Sequence, residues 1–325
     1  MFLGVDGGGT KTALCLLDRE GQVVAQALAG GIYYLSEGVE LVGRVLRDGV
    51  ARICAQAGIS PEDIDYAFFG LPSYGEISGD VSALDAAPRA VLGHSRYACE
   101  NDMVCGWAGS LAISDGINVI SGTGSMTYGQ RAGRGVRVGG WGELFGDDGS
   151  AYWIAIRGLN AVSRMSDGRL PGGPLIETIR EHLGLAADLD LVDVVLNRWE
   201  GGRAEIAALS RQVVQAADLG DIHAANILAD AGRELALLVD TTRHRLGYEP
   251  DEVVAISYSG GIFSASRVLD AFRREVALFF HGYQVRRPLY PPVIGAGLYA
   301  AKLAGTPLRD TALERLRSVL LDDAA

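Results

Sequence analysis

The stretch FLGVDGGGTKTALCLLD, Phe2 to Asp18, decides the architecture. Phe2 to Val5 form a short apolar run, Asp6-Gly7-Gly8-Gly9-Thr10 turns the chain, and Lys11 to Asp18 alternate and run apolar again, with a third strand expected over Val23–Leu28. The glycine turn therefore joins strand to strand. A dinucleotide fingerprint or a P-loop needs the glycine turn to open a helix, and neither G-x-G-x-x-G nor G-x-x-x-x-G-K-S/T is present in this stretch. What remains is a hairpin whose tip offers amides, a hydroxyl, an ammonium and a carboxylate. Asp6 at the strand end suits Mg²⁺ held through water, Lys11 suits phosphate charge, and Gly8 and Gly9 let a phosphate approach the backbone beside Thr10. An ordinary tight hairpin with an exposed acid has the same composition.

The pattern recurs in residues 118–153, NVISGTGSMTYGQRAGRGVRVGGWGELFGDDGSAYW, which hold ten glycines among strand-forming residues. Asn118 to Ser121 read as a buried strand, and Gly122-Thr123-Gly124-Ser125 then turn the chain with amides and hydroxyls free for oxyanions. Two strand-turn-strand openings, each followed by further strands and then helix, predict two similar α/β units in tandem with a boundary near Asp115. Gly139-Gly140-Trp141-Gly142 sets one indole among residues too small to bury it, a surface suited to the apolar face of a sugar ring. The acids Asp147 and Asp148 follow, and Ser150 to Met165 read as a helix with Asp147 or Ser150 as its cap. A glycine-rich β-arch accounts for the same residues without a ligand.

Elsewhere, Val39 to Ala57 carries helical apolar spacing ended by Gly58, Tyr66 to Leu71 reads as a strand, and Arg96 to Cys99 as another leading into Glu100-Asn101-Asp102. Met103 to Ile113 reads as a helix, so Asp102 lies at a strand-to-helix junction, the edge of an α/β sheet where ligands gather. Capping that helix is the plainer role for Asp102. Arg203 to Gly247 is strongly helical, with Gly220 as a break, and reads as scaffold. A third glycine turn, Ser257-Tyr258-Ser259-Gly260-Gly261, follows the strand Val253–Ser257 and is expected to open a helix over Phe263–Ala277, where its amides suit phosphate or ribose. Pro291 and Pro292 precede a small-residue helix, Val293–Leu303.

At 325 residues, two domains are expected. The net charge of −11, without a Lys/Arg block, argues against nucleic acid or an anionic membrane surface as partner. An anionic substrate must then be held locally. MFLGVDGGGT has neither a basic segment nor a long apolar run, so the cytoplasm is the expected location. Cys15, Cys54, Cys99 and Cys105 form no Cys-x-x-Cys pair and fit reduced core thiols, although Cys99 and Cys105 are close enough in sequence to share a ligand. The five histidines have no paired metal spacing.

In order along the chain, Asp6 with Gly7-Gly8-Gly9-Thr10, Gly122-Thr123-Gly124-Ser125 and Ser259-Gly260-Gly261 resemble the two phosphate loops and the adenosine loop of the sugar kinase, actin and heat-shock chaperone superfamily. GVDGGGTKT, Asn101-Asp102, ISGTGS, GGWGELFGDDGSAYWIA and SGGIF together resemble the N-acetylglucosamine kinases of the BadF/BadG-type ATPase family. The likeness spans residues 2 to about 304. It implies an α/β fold of two RNase H-like, actin-like ATPase domains, residues 1–114 and 115–292 with a helical insertion, with a nucleotide cleft between them. Residues 293–325 would supply a helix packing back on the first domain, plus a tail. It also implies an ATP- and Mg²⁺-dependent enzyme converting an amino sugar, N-acetylglucosamine first, to its 6-phosphate, with glucosamine or N-acetylmuramate as near alternatives. A homodimer is the expected assembly. Carried onto matching positions, the resemblance makes Asp102 the base, Asn101, Gly140 and Trp141 sugar contacts, and Asp147 a further acid on the sugar or metal side, while Thr10 and Thr123 hold phosphate. Where the family has a small polar stretch with Asn after Gly30-Gly31, this chain has Ile32-Tyr33-Tyr34, so Tyr33 and Tyr34 are expected to line the sugar pocket, with a role in the core as the alternative. Asp148 likewise departs from the second acid of the family's Gly-Asp-Glu-Gly pattern. A different class in the same broad family, the ATP-driven activator of a radical dehydratase, needs a cysteine-held cluster, and no cysteine lies beside Gly122–Ser125.

Overall fold

A computed structural model describes residues 1–322 of the chain. They divide into two compact units, one formed by residues 1–115 with the chain from Arg287 onward, the other by Gly116–Arg286. Residues 287–292, assigned to the second domain on sequence, fall with the first unit because Leu289 N donates to Ser110 O and Tyr290 N to Gly109 O.

Each unit is built on a five-stranded sheet. In the first, β1 (Phe2–Gly7), β2 (Lys11–Leu17), β3 (Val23–Gly30), β4 (Tyr66–Leu71) and β5 (Tyr97–Asn101) lie in the order β3-β2-β1-β4-β5. β1, β2 and β3 are antiparallel neighbours, whereas β1, β4 and β5 run parallel. The second unit repeats the plan with β6 (Gly116–Ser121), β7 (Ser125–Arg131), β8 (Arg134–Gly139), β9 (Val254–Ser259) and β10 (Tyr283–Arg286), ordered β8-β7-β6-β9-β10 with the same alternation of pairings. The order follows from the chain: short turns force antiparallel neighbours, and a helical crossover is needed to return parallel. This is the α/β tandem expected from the two glycine turns.

Helices cover the sheets as the periodicity requires. Glu40–Ala57 buries Val42, Leu46, Val50 and Ile53 against the first sheet and ends at Gly58 in the left-handed conformation. Pro292–Leu303 is largely apolar and carries the small residues Gly295, Ala296 and Gly297 buried in its first half. A Cβ on Gly4 of β1 would lie 2.2 Å from Gly297 N, and one on Gly295 would lie 2.1 Å from Gly109 N, so this helix packs backbone to backbone on β1 and on the Met103–Ser110 helix. The segment read as a tail contains a further helix, Asp310–Asp322. In the second unit, Ala151–Ser166, Arg203–Ala208, Ser210–Asp218 and Ile222–Leu246 build the core on the sheet, with Gly220 (φ +93°) making the expected break and Leu209 a second one. Among the described residues no helix is long and apolar enough to cross a membrane.

Candidate active site

In the first unit, the Gly8-Gly9-Thr10 turn is folded down onto the end of β3: Ile32 N donates to Gly8 O (2.9 Å), and a Cβ on Gly31 would lie 2.3 Å from Gly9 O. Gly9 has open space around its Cα, and Thr10 and Lys11 are exposed. Thr10, Lys11 and the glycine backbone therefore face outward, available to a ligand. Asp6, at the end of β1, is mostly shielded from water. Burial first, and then the charge of Asp102, push its carboxyl up to about 7, against lowering contributions from a hydrogen bond with Cys105 and from Lys11.

Asp102 reaches that neighbourhood because β4 carries glycine at position 70, where a Cβ would lie 2.2 Å from Cys105 Sγ and 3.1 Å from Asp102 Cα. Any other residue at position 70 would drive the start of the Met103–Ser110 helix away. Asp102 occupies the N-cap position but makes no capping bond with its side chain; the cap is supplied by Asn101, whose Oδ1 accepts from Met103 N (3.2 Å). Asn101, expected to touch sugar, is 4 % exposed and spends its other end on Tyr74 O (3.4 Å). Its amide holds the junction and is not turned outward. Cys105 is fully buried, and its thiol is held well above the ordinary range by burial and by Asp6 and Asp102, so it is an inert neighbour.

The two tyrosines part company. Tyr33 is partly exposed, but Tyr34 is 2 % exposed, packs in the first unit's core and donates its hydroxyl to Ser73 O (3.2 Å). The expectation that Tyr34 lines an open pocket is thus corrected: once Tyr33 heads the one-turn helix Tyr34–Glu37, the next ring turns inward.

In the second unit, Gly122-Thr123-Gly124 joins β6 to β7, with Ser121 paired to Ser125 and Gly122 N donating to Gly124 O (2.9 Å). Thr123 is exposed. Ser125 is 1 % exposed and its hydroxyl donates to Asp148 O (2.6 Å), so it braces the loop and is not offered to phosphate. Ser121 Oγ donates to Gly149 O and Ala151 N to Gly122 O (2.8 Å). The loop and the acidic segment Asp147–Ser150 are therefore one laced assembly, and Ser150, not Asp147, caps the Ala151–Ser166 helix by accepting from Trp153 N.

The third glycine turn meets this loop. A Cβ on Gly260 (φ +96°) would lie 2.2 Å from Ser121 O, so only glycine permits β9 to end against β6. Ser259 accepts from Asn118 Nδ2 (3.2 Å). The turn opens a short 3₁₀ segment, Gly261–Ser264, and the helix expected from Phe263 begins at Ser266. A cavity of about 650 Å³ lies here, lined by Gly122, Thr123, Ala151, Arg211, Gly261 and Ile262 among others. Two glycine turns far apart in sequence thus border one cavity large enough for a nucleoside.

Trp141 is 72 % exposed on an arch of left-handed glycines, Gly139, Gly140 and Gly142, with Leu144 and Phe145 also exposed. Asp147 is 4 % exposed, has a left-handed backbone (φ +55°), and pairs with Arg203 Nη2 at 2.7 Å. Burial raises its carboxyl above the usual range and Arg203 opposes that. Arg203 was read from sequence only as the start of a scaffold helix; no local pattern marks it, because its partner is 56 residues away.

The family model for BadF/BadG/BcrA/BcrD ATPases matches residues 3–300. The chain belongs to that family. This ATPase is 32 % identical to the N-acetylmuramic acid/N-acetylglucosamine kinase of Clostridium acetobutylicum over 85 % of its own length and 90 % of that protein. It is 28 % identical to the N-acetyl-D-glucosamine kinase of Dictyostelium discoideum over 92 % and 97 %. Among solved structures, one from Chromobacterium violaceum, provisionally named an N-acetylglucosamine kinase, superposes with a TM-score of 0.70 at 23 % identity, covering 93 % of this chain and 98 % of that one. The ROK hexokinase of Thermus thermophilus gives 0.57 at 14 % identity over 93 % and 98 %. These two likenesses bear on the fold: this ATPase has the two-domain, actin-like architecture of sugar kinases.

Proposed function

We propose that this ATPase transfers the terminal phosphoryl group of ATP to an amino sugar, N-acetylglucosamine foremost, giving the 6-phosphate. The relatives' names support the sugar class. The observation that carries the chemistry is Asp102: it sits at a helix start whose N1 amide is bound by Asn101, beside Asp6, whose carboxyl its charge helps to raise. A carboxylate at this strand-to-helix junction suits orienting a sugar hydroxyl and taking its proton as the oxygen bonds to phosphorus. Thr10, Lys11, Gly8 and Gly9 bind phosphate on the first unit, and Gly122, Thr123 and Gly124 do so on the second. Gly261 lines the nucleoside cavity, at the end of the turn that Ser259 and Gly260 begin. Trp141, with Gly140, stacks on the sugar on the second unit, and Tyr33 is a sugar contact on the first.

Asp6 fits Mg²⁺ through water: two neighbouring carboxylates in a water-poor setting gain from a divalent cation. Among the described residues no group of three His, Cys, Asp or Glu forms a dedicated metal cage. The cation would be shared between one or two carboxylates and substrate phosphates. When bound, Mg²⁺ neutralises charge on the phosphates. The same reading takes the enzyme to be a cytoplasmic homodimer, which light scattering tests for assembly.

The dehydratase-activator class is disfavoured because all four cysteines are buried in the first unit and none borders Gly122–Gly124. The deciding assay is ADP release with ATP, Mg²⁺ and a panel of N-acetylglucosamine, glucosamine and N-acetylmuramate. Saturable release, with N-acetylglucosamine among the best, is expected; no release from any sugar, together with visible iron–sulfur absorbance, would overturn the kinase reading.

A further inference from the structure

The charge balance around the second unit's glycine loop is uneven. Asp147, Asp148 and Glu143 crowd the segment laced to Gly122–Ser125, and a dianionic or trianionic phosphate would approach a loop already flanked by acid. Arg203 is a cation in direct contact with this loop. A Cβ on Gly124 would lie 2.6 Å from Arg203 Nη2 and 2.6 Å from Asp147 Oδ2, so the guanidinium is stacked against the loop backbone itself, at the residue next to Thr123.

Three features define how Arg203 is held. Its Nη2 donates to Asp147 Oδ2 at 2.7 Å, and Asp147 is presented by a left-handed backbone that only the lacing around it maintains. Its Nε lies 3.2 Å from Glu143 Oε2 but off the hydrogen-bond line, leaving a buried N–H without an acceptor. Its side chain is nevertheless 40 % exposed. The next residue, Ala204, lines the same cavity as Gly122, Thr123 and Gly261. A planar fork with one edge anchored to a buried carboxylate and donors to spare is the arrangement suited to oxyanions of phosphate.

We propose that Arg203 is a further catalytic residue, whose guanidinium contacts the phosphoryl group delivered at Gly122–Gly124 and stabilises the charge that gathers there during transfer, with Asp147 and Glu143 as the counter-ions that aim it. Gly124 is glycine because a side chain there would displace this pair. The proposal rests on the kinase reading for its chemistry, but not for its binding step, since a guanidinium aimed at the terminal phosphate distinguishes ATP from ADP without any sugar.

The test uses the full chain carrying Arg203→Met, Arg203→Lys, Asp147→Asn and the double variant Asp147→Asn/Arg203→Met. Calorimetry with ATP and with ADP is run alongside ADP-release kinetics. Arg203→Met is expected to weaken ATP about tenfold while leaving ADP near parental, the loss of a charge-assisted contact to one phosphate, and to lower kcat by about 10² to 10³. Arg203→Lys should recover part of the affinity but less of the turnover, since it keeps the charge and loses the fork. If Arg203→Met misfolds by stranding a buried Asp147, the double variant removes that charge and carries the decision. ATP affinity and turnover in the double variant well below Asp147→Asn alone support the proposal. Equality of the double variant with Asp147→Asn, or equal losses for ATP and ADP, would reduce Arg203 to a counter-ion and overturn it. If the parental protein phosphorylates no sugar, the kinase reading falls, while the ATP-to-ADP comparison still decides Arg203.

Discussion

Replacing Asp102 by Asn separates its two roles with one change. Asn keeps the shape and hydrogen-bonding capacity of Asp but is no base. Were Asp102 a capping residue, a poorer replacement would cost ~1 kcal/mol, and Asn would cost almost nothing. Here even that small term is absent, because Asp102's side chain makes no capping bond and Asn101 Oδ1 holds Met103 N at 3.2 Å. The electrostatic term has the opposite sign: Asp102 raises Asp6, so removing its charge relieves repulsion between two acids. The melting temperature should therefore stay equal or rise, and ATP binding should persist. Turnover at saturating sugar and ATP should fall by about 10² to 10⁴, equivalent to about 3–5 kcal/mol of transition-state stabilisation. Coupled ADP release, differential scanning calorimetry and nucleotide titration on one preparation measure all three. A variant that keeps more than about a tenth of the parental rate ends the case for Asp102 as base. A melting temperature lower by more than about 3 °C would return it to a structural role.

Asp6 predicts an unusual pH profile: a carboxyl raised to about 7 in the fold binds a proton that the unfolded chain releases near 4, so stability falls as pH rises from about 4 to 7. Measured with a chelator, the parental protein should lose on the order of 2–4 kcal/mol relative to Asp6→Asn across that window, and added Mg²⁺ should shrink the difference; parallel profiles would refute it. Gly4→Ala sets a methyl group against Gly297 N and Val293 O, backbone atoms that cannot swing aside, and should cost about 3 kcal/mol or more in denaturant unfolding. Trp141→Ala should leave stability within about 0.5 kcal/mol, because the indole is largely exposed, while raising the sugar KM about tenfold at unchanged ATP KM. Tyr34→Phe should cost about 1 kcal/mol from the lost bond to Ser73 O and leave the ranking of sugars unchanged, whereas re-ranking would put Tyr34 back in the pocket.

The sequence by itself determined what short-range chemistry can write. The apolar runs broken by Asp6-Gly7-Gly8-Gly9-Thr10 and by Gly122-Thr123-Gly124 demanded strand-to-strand turns, and those turns imposed the antiparallel half of each sheet. Helical spacing placed Glu40–Ala57 and its Gly58 stop to within one residue, and the exposure of Trp141 followed from its glycine neighbours. Tertiary structure decided which of the candidate polar groups are left over for a ligand. Ser125 and Asn101 look in sequence like ligand contacts, yet the fold uses Ser125's hydroxyl on Asp148 O and Asn101's amide on Met103 N and Tyr74 O, because buried polar groups must be paired. Tyr34 turned inward for a different reason, a ring adjoining an apolar core being worth more buried than exposed. Arg203 could be found only in the fold: a residue 56 positions from Asp147 has no period or turn signal tying it there, and its place is set by helices packing on a sheet whose order brings distant segments to one loop.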